Sequence, residues 1–277
     1  MDTFIQQIIN GLVLGSIYAL VALGYTMVYG ILGLINFAHG EVVMIGALTA
    51  LTVIKLLANS GLPGVVVVLI GLLAAIPVCM ALGFTIERIA YRPLRNAPRL
   101  APLITAIGVS IVLQQLAMIF WGRNYHAFPP ILPTSSREIG GAHITDVQIV
   151  IILLAVAIMA GLMLLVNRTR LGRAMRATAE NPQIAGLMGV NINVIISATF
   201  LIGSALAAVA GVMVSANYSI AHYHMGFILG LKAFTAAVLG GIGNLPGAML
   251  GGVLLGLIES LGAGYIGDLT GGFLGSH

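Results

Sequence analysis

Residues 167–191 read NRTRLGRAMRATAENPQIAGLMGVN, and they separate a pair of strongly apolar runs. The stretch holds four of the twelve Lys and Arg residues, namely Arg168, Arg170, Arg173 and Arg176. Residues 171–179 are expected to form a short helix that places Arg173 and Arg176 on one side. Asn181 then suits an N-cap. Pro182 suits the first position of a second short helix, because its φ is preset and the missing N–H would be unsatisfied there anyway. Ile184, Leu187 and Met188 give that helix an apolar face, and Gly189 suits its C-terminal cap. A basic connection between membrane spans is ordinarily a charged linker. This one reads as a folded helical pair suited to docking.

Outward from that stretch, composition decides the solvent. Of 277 residues, 59% are hydrophobic and 7% charged, and the mean hydropathy is +1.08. A soluble domain carries about 25% charged residues, so this chain cannot cover a water-facing surface and most of it must face lipid. The 36 glycines fit close helix packing in a bilayer, where small residues let backbones approach. The one cysteine, Cys79, lies in an apolar run, which excludes an intramolecular disulfide and a cysteine-based metal site. A pI near 9.5 does not point to nucleic acid. Eight of the basic residues fall in two short loops, as expected of cytoplasmic connections. The first apolar run lacks a basic leader and outlasts a signal-peptide core, so it reads as a retained span.

The expected fold is all-α, a polytopic transmembrane bundle of about eight spans forming a single permease-like domain over 1–277. Spans are expected at 8–28, 35–57, 63–89, 100–121, 147–166, 192–217, 226–239 and 248–264. Only Asp2 is charged before the first span, which leaves the N-terminus free to sit outside. Gly11 and Gly15 in that span are in register for a close helix contact. The second span carries Asn36, His39 and Glu41 at its start, so that start is expected to be unwound or packed in protein. Pro77 should kink the third. Arg88, Arg92, Arg95 and Arg99 mark the first cytoplasmic loop. Gln114 and Gln115 lie in the outer half of the fourth span, and Phe120 and Trp121 suit its interfacial end. Residues 122–146 read as an external loop, where Pro129, Pro130 and Pro133 argue against regular structure. Tyr218, His222, Tyr223 and His224 form a second external connection. A Gly-rich turn follows the seventh span on the cytoplasmic side, and the Gly-rich tail 265–277 ends without another span.

Ionisable residues inside apolar runs are candidate sites, since each costs at least a few kcal/mol in lipid and must face protein or water. Lys232 lies ~9 Å from the outer start of its helix, with Glu259 at similar depth. They could form an ion pair, or Lys232 could snorkel outward while Glu259 faces a cavity alone. Asn36, His39 and Glu41 could line a translocation path or relay protons. Equally, Asn36 and Glu41 could cap the irregular helix start. His222 and His224, alternate and without a nearby carboxylate, read as a solvated loop rather than a metal site. No nucleophile elbow or zinc motif is present, and GGIGN at 240–244 lacks the Lys and Ser or Thr of a P-loop. ATP-driven transport would therefore need its ATPase on another chain. A proton-coupled transporter using His39 and Glu41 is the alternative, although it would have no use for a docking loop. An intramembrane enzyme lacks a catalytic constellation.

Three ordered motifs carry a resemblance: GLINFAHGE at 33–41, GRAMRATAENPQIAGLMGVN at 172–191, and KAFTAAVLGGIGNLPGAMLGG at 232–252. Together they resemble the permeases of bacterial branched-chain amino-acid ABC importers, in particular the H-type subunit, along essentially the whole chain. The resemblance implies an inner-membrane, multi-pass permease of the type II importer kind without a cofactor of its own. Its implied partners are membrane lipid, a homologous second permease, two cytoplasmic ATPases that hold ATP and Mg, and a periplasmic binding protein. It also implies that 171–189 is the coupling segment, seated in a cleft of the ATPase. Leu171, Arg173, Arg176, Glu180, Ile184, Ala185, Gly186, Leu187 and Gly189 are its expected contact residues. Within it Ala185 and Gly186 would permit close approach, and the arginines would meet acidic groups. Relatives also carry urea, short amides and other amino acids. Members of the family usually continue into a further apolar segment that ends in the cytoplasm, beyond what corresponds to His277.

Overall fold

A computed structural model describes residues 2–98, 100–129, 135–139 and 141–269. Arg99, Pro130, Pro133 and the end of the expected tail lie outside the described residues. Helix α1 (Asp2–Leu32) ends where Gly33 adopts φ +63°, a left-handed conformation that favours glycine. An irregular segment, 33–38, leads to α2 (His39–Leu57), as its polar start implied. α3 (Gly64–Ile86) runs through Pro77 and continues as a π-helical turn (Glu87–Tyr91) and a 3₁₀ turn (Arg92–Leu94). α4 (Leu100–Trp121) returns to the opposite side, where the Trp121 indole donates to Thr52 Oγ1 at 2.8 Å.

The expected irregular loop at 122–146 is corrected to some extent. β1 (His126–Ala127) precedes an antiparallel hairpin of β2 (Ser136–Ile139) and β3 (Ala142–Thr145). Its three prolines fall in sequence between β1 and β2, so they separate the pairings rather than prevent them. α5 (Asp146–Arg168) opens on a capping box, Thr145 accepting from the Gln148 N–H while the Gln148 side chain accepts from the Thr145 N–H. Then follow α6 (Arg170–Glu180), α7 (Pro182–Leu187) and α8 (Ile192–Tyr218). β4 (Ile220–Ala221) pairs with β1, and α9 (Met225–Leu239) and α10 (Leu245–Leu269) complete the described chain.

Among the described residues, seven helices are long and apolar enough to cross a membrane. The seventh expected span is α9, whose 15 residues reach ~22 Å against a hydrocarbon core of ~30 Å. α1, α2 and α8 form the buried centre, α3 packing on α2 and α8, while α4, α5 and α10 present apolar outer faces.

α1 and α10 pack antiparallel along the expected glycine register. A Cβ on Gly15 would stand 2.7 Å from Val253 Cα, and one on Gly256 2.2 Å from the Gly15 nitrogen. The backbones touch because neither helix carries a side chain there.

Candidate functional site

Each joint of the helical pair is fixed by a cap. Thr169 accepts from the Gly172 N–H at 3.0 Å, Asn181 from the Ile184 N–H at 3.0 Å, and Asn191 from the Val194 N–H at 3.3 Å. Gly189, at φ +86°, ends α7 as its position implied. On α6, Gly172, Met175 and Thr178 are buried, while Arg173, Arg176 and Glu180 face outward. Arg176 also donates to Asn167 Oδ1 at 3.0 Å. On and just after α7, Ile184 is 58% exposed, Leu187 87% and Met188 80%. Gly186 is open, with no atom within 4 Å of an added Cβ. Two expected contact residues are placed differently. Ala185 is buried against its own chain and Leu171 is half-buried against the core, so the helical period turns both inward.

The three polar residues at the start of α2 do not act together. Asn36 Oδ1 accepts from the Ala38 N–H and from the Tyr91 hydroxyl, each at 3.1 Å, which is the helix-start role. His39 lies edge-on to Tyr25 with centroids 5.0 Å apart, and a Cβ on Gly24 would stand 2.1 Å from its Nε2. Glu41 turns to α4 instead, where its Oε1 accepts from Ser110 Oγ at 3.0 Å and Gln114 Nε2 at 2.7 Å. The expected cap by Glu41 is therefore absent, and His39 and Glu41 meet different neighbours, because residues two apart on a helix point away from each other. Ser110 and Gln114 lie ~15–21 Å along α4 from its N-terminal end, so the Glu41 carboxylate sits near mid-membrane.

At that depth two helices begin side by side. A Cβ on Gly40 would stand 2.4 Å from the Gly226 carbonyl oxygen, and one on Gly226 equally close to that of Gly40. α2 and α9 run from this crossing toward opposite sides. Segments 33–38 and 219–224 lead into it, and irregular backbone at such depth is tolerated where it is packed in protein or lines a cavity. A cavity of about 510 Å³ adjoins the crossing, lined by Tyr25, Phe37, Ser110, Gln114, His224 and Phe227 among others.

Lys232 and Glu259 are paired rather than independent. Lys232 Nζ stands 2.5 Å from Glu259 Oε1, and the Tyr18 hydroxyl donates to Glu259 Oε2 at 2.9 Å. The ammonium is also 3.4 Å from Tyr18 Oη. Among the described residues no cluster of His, Cys, Asp and Glu is arranged to hold a metal, and the His222 ring instead stacks on Tyr125 at 4.3 Å.

The family sequence model described as "Branched-chain amino acid transport system / permease component" matches residues 7–275. The chain belongs to this family. It is 51% identical over 270 residues to the high-affinity branched-chain amino acid transport system permease protein BraD of Pseudomonas aeruginosa, covering 96% of this chain and 88% of that protein. The corresponding permease protein LivH of Escherichia coli K12 is 47% identical over 268 residues, covering 95% of this chain and 87% of LivH. A probable LivH of Methanocaldococcus jannaschii is 28% identical over 283 residues, covering 97% and 85%. No solved structure gives a significant match. The chain is thus a multi-pass membrane permease rather than an enzyme.

One constellation in the permease is absent from the sequence reading. Glu87, fully buried in the π-helical turn, pairs with Arg92 Nε at 3.3 Å and with Arg95. It also accepts from Ser197 Oγ of α8 at 2.8 Å, and Arg95 donates to Asn193 Oδ1 at 2.6 Å. Burial pushes the Arg95 guanidinium below its ordinary range, and the adjoining Glu87 carboxylate opposes that shift. The first basic loop is therefore bolted to the start of α8, immediately beyond α7. The signal in the sequence is the single acid beside four arginines in ERIAYRPLRNAPR, a pattern whose basic residues otherwise speak only of topology.

Proposed function

We propose that this permease is a membrane-spanning subunit of an ATP-driven importer of branched-chain amino acids in a bacterial inner membrane. It forms half of the translocation path, beside a homologous second permease. Two cytoplasmic ATPases drive the pair and a periplasmic binding protein supplies it. The substrate class rests on what the relatives are named for. The observation that carries the coupling role is α7, a capped helix that offers Ile184, Leu187 and Met188 to the surroundings. Large apolar side chains exposed together on a rigid element mark an interaction surface, and Arg173 and Arg176 beside them suit acidic groups on a partner.

Gly186→Trp tests the reading. Because nothing lies near an added Cβ at 186, the variant should fold and insert normally. It should lose co-purification of the ATPases and ATP-driven uptake in reconstituted vesicles. Wild-type assembly and uptake would remove α7 from the interface. Uptake that is blocked by vanadate and survives an uncoupler fits the importer, whereas the reverse pattern would restore a proton-coupled transporter.

A further inference from the structure

A second cavity, of about 400 Å³, opens among the outer ends of the helices, with Tyr125 and Tyr218 toward its mouth and Tyr18 and Lys232 deeper in. Its apolar wall is built from Val214, Met225, Ile228 and Leu229. Lys232 and Tyr18 line its deep side, and both bond Glu259 next to them; the Lys232 and Glu259 side chains are 40% and 33% exposed. An ion pair left partly open at membrane depth is costly unless something polar answers it. Tyr18 answers some of it, through Glu259 Oε2 and the Lys232 ammonium. An ammonium has three N–H donors and a carboxylate about four lone-pair sites, so both groups keep hydrogen-bonding capacity, the ammonium toward the cavity it lines.

We propose that this vestibule is a subsite for the zwitterion of an aliphatic α-amino acid, which rests on the importer reading above. The substrate lies head to tail across the ion pair, its carboxylate accepting from the Lys232 ammonium and its ammonium donating to the Glu259 carboxylate. Its side chain packs on Ile228, Leu229 and Met225. When the site is empty the two charges satisfy each other, so no unpaired charge is stranded in the membrane. A carboxylic acid without the amine, or an amine without the carboxylate, leaves one member of the pair unanswered.

The test uses the whole importer in nanodiscs, with Ile220→Cys at the cavity rim. Ile220 is 45% exposed, whereas the native Cys79 is fully buried, so the introduced thiol is the reactive one on this chain, and labelling is read on its band alone. Labelling by a membrane-impermeant maleimide is followed with leucine, leucinamide or 4-methylpentanoate present. Leucine should slow labelling and the other two should not at equal concentration. Lys232→Met and Glu259→Gln should each raise the leucine concentration required about 10- to 100-fold, the worth of one charge-assisted hydrogen bond. Ile228→Trp, which fills the cavity and leaves both charges in place, should abolish protection. Equal slowing by all three probes would overturn the proposal. So would undiminished protection in these variants when purified with both ATPases. A wild-type chain that retains its ATPases yet shows no protection by leucine sinks the subsite alone. One that never retains ATPases sinks the importer reading and the subsite with it.

Discussion

Leu187→Ala separates docking energy from folding energy. The substitution removes three carbon groups, worth ~0.8 kcal/mol each when fully buried, or about 2.4 kcal/mol together. In the free permease Leu187 is 87% exposed, so nearly all of that remains available to a partner. Full burial in an ATPase cleft would make the loss on docking about 2 kcal/mol, or ~30-fold in Kd. The stability of the permease itself should fall by only about 0.3 kcal/mol, the share already covered. Ile184 is 58% exposed, so Ile184→Ala should cost about 1.4 kcal/mol on docking, ~10-fold in Kd, and correspondingly more in folding. The assay titrates purified ATPase against labelled permease in nanodiscs, with thermal unfolding of the same samples measured in parallel. An unchanged Kd for Leu187→Ala, or a larger loss for Ile184→Ala than for Leu187→Ala, would refute the placement of α7 at the interface.

Two further perturbations probe the fold that carries this helix. Gly15→Ala must push α1 and α10 apart, since its Cβ would meet Val253 backbone atoms at 2.7 and 3.0 Å; a loss of about 1–3 kcal/mol should appear as a lowered melting temperature in detergent, and an unchanged one would refute the close packing. Glu87→Ala strands Arg92 and Arg95 beside Ser197. It should destabilise by an amount near the low end of the ~3–5 kcal/mol seen when a buried pair loses one member, because both arginines keep some solvent. Denaturation should show Glu87→Gln to be milder, and equal stability of the Ala variant and wild type would contradict the network.

Much of this architecture is legible because the membrane imposes it. Spans longer than the hydrocarbon core must be apolar throughout, so the ends of α4, α5 and α8 fall within a residue or two of expectation. The caps at Asn181 and Gly189 are equally readable, since an N-cap and a left-handed residue are local requirements of the chain. The direction in which a residue faces is harder. Ala185 and Leu171 sit in sequence among the residues expected at the partner surface, yet the turn of each helix carries them inward. The shortness of α9 is hidden too, because an apolar run of 14 or 15 residues looks like a span until its length is set against the bilayer.

The acids within apolar runs or at their ends show why partners are harder to read than depth. Composition announces that an acid in an apolar run must be answered, but the answering groups come from other elements or later turns of the chain. Glu259 is met by Lys232 and Tyr18, Glu87 by two arginines and Ser197, and Glu41 by a serine and a glutamine of α4. The choice follows access to water. Arg92 and Arg95, just beyond the C-terminal end of α3, can bury their stems and keep some of the guanidinium wet. Lys232 faces an open cavity. Glu41 is fully buried near mid-membrane, behind the Ser110 and Gln114 that line the neighbouring cavity. A countercharge there would itself need desolvating, so neutral donors answer it. Its second oxygen has no partner among the described residues, whereas both oxygens of Glu87 and of Glu259 are engaged. Glu41 is therefore the least satisfied of the three, and it lies where α2 and α9 begin side by side.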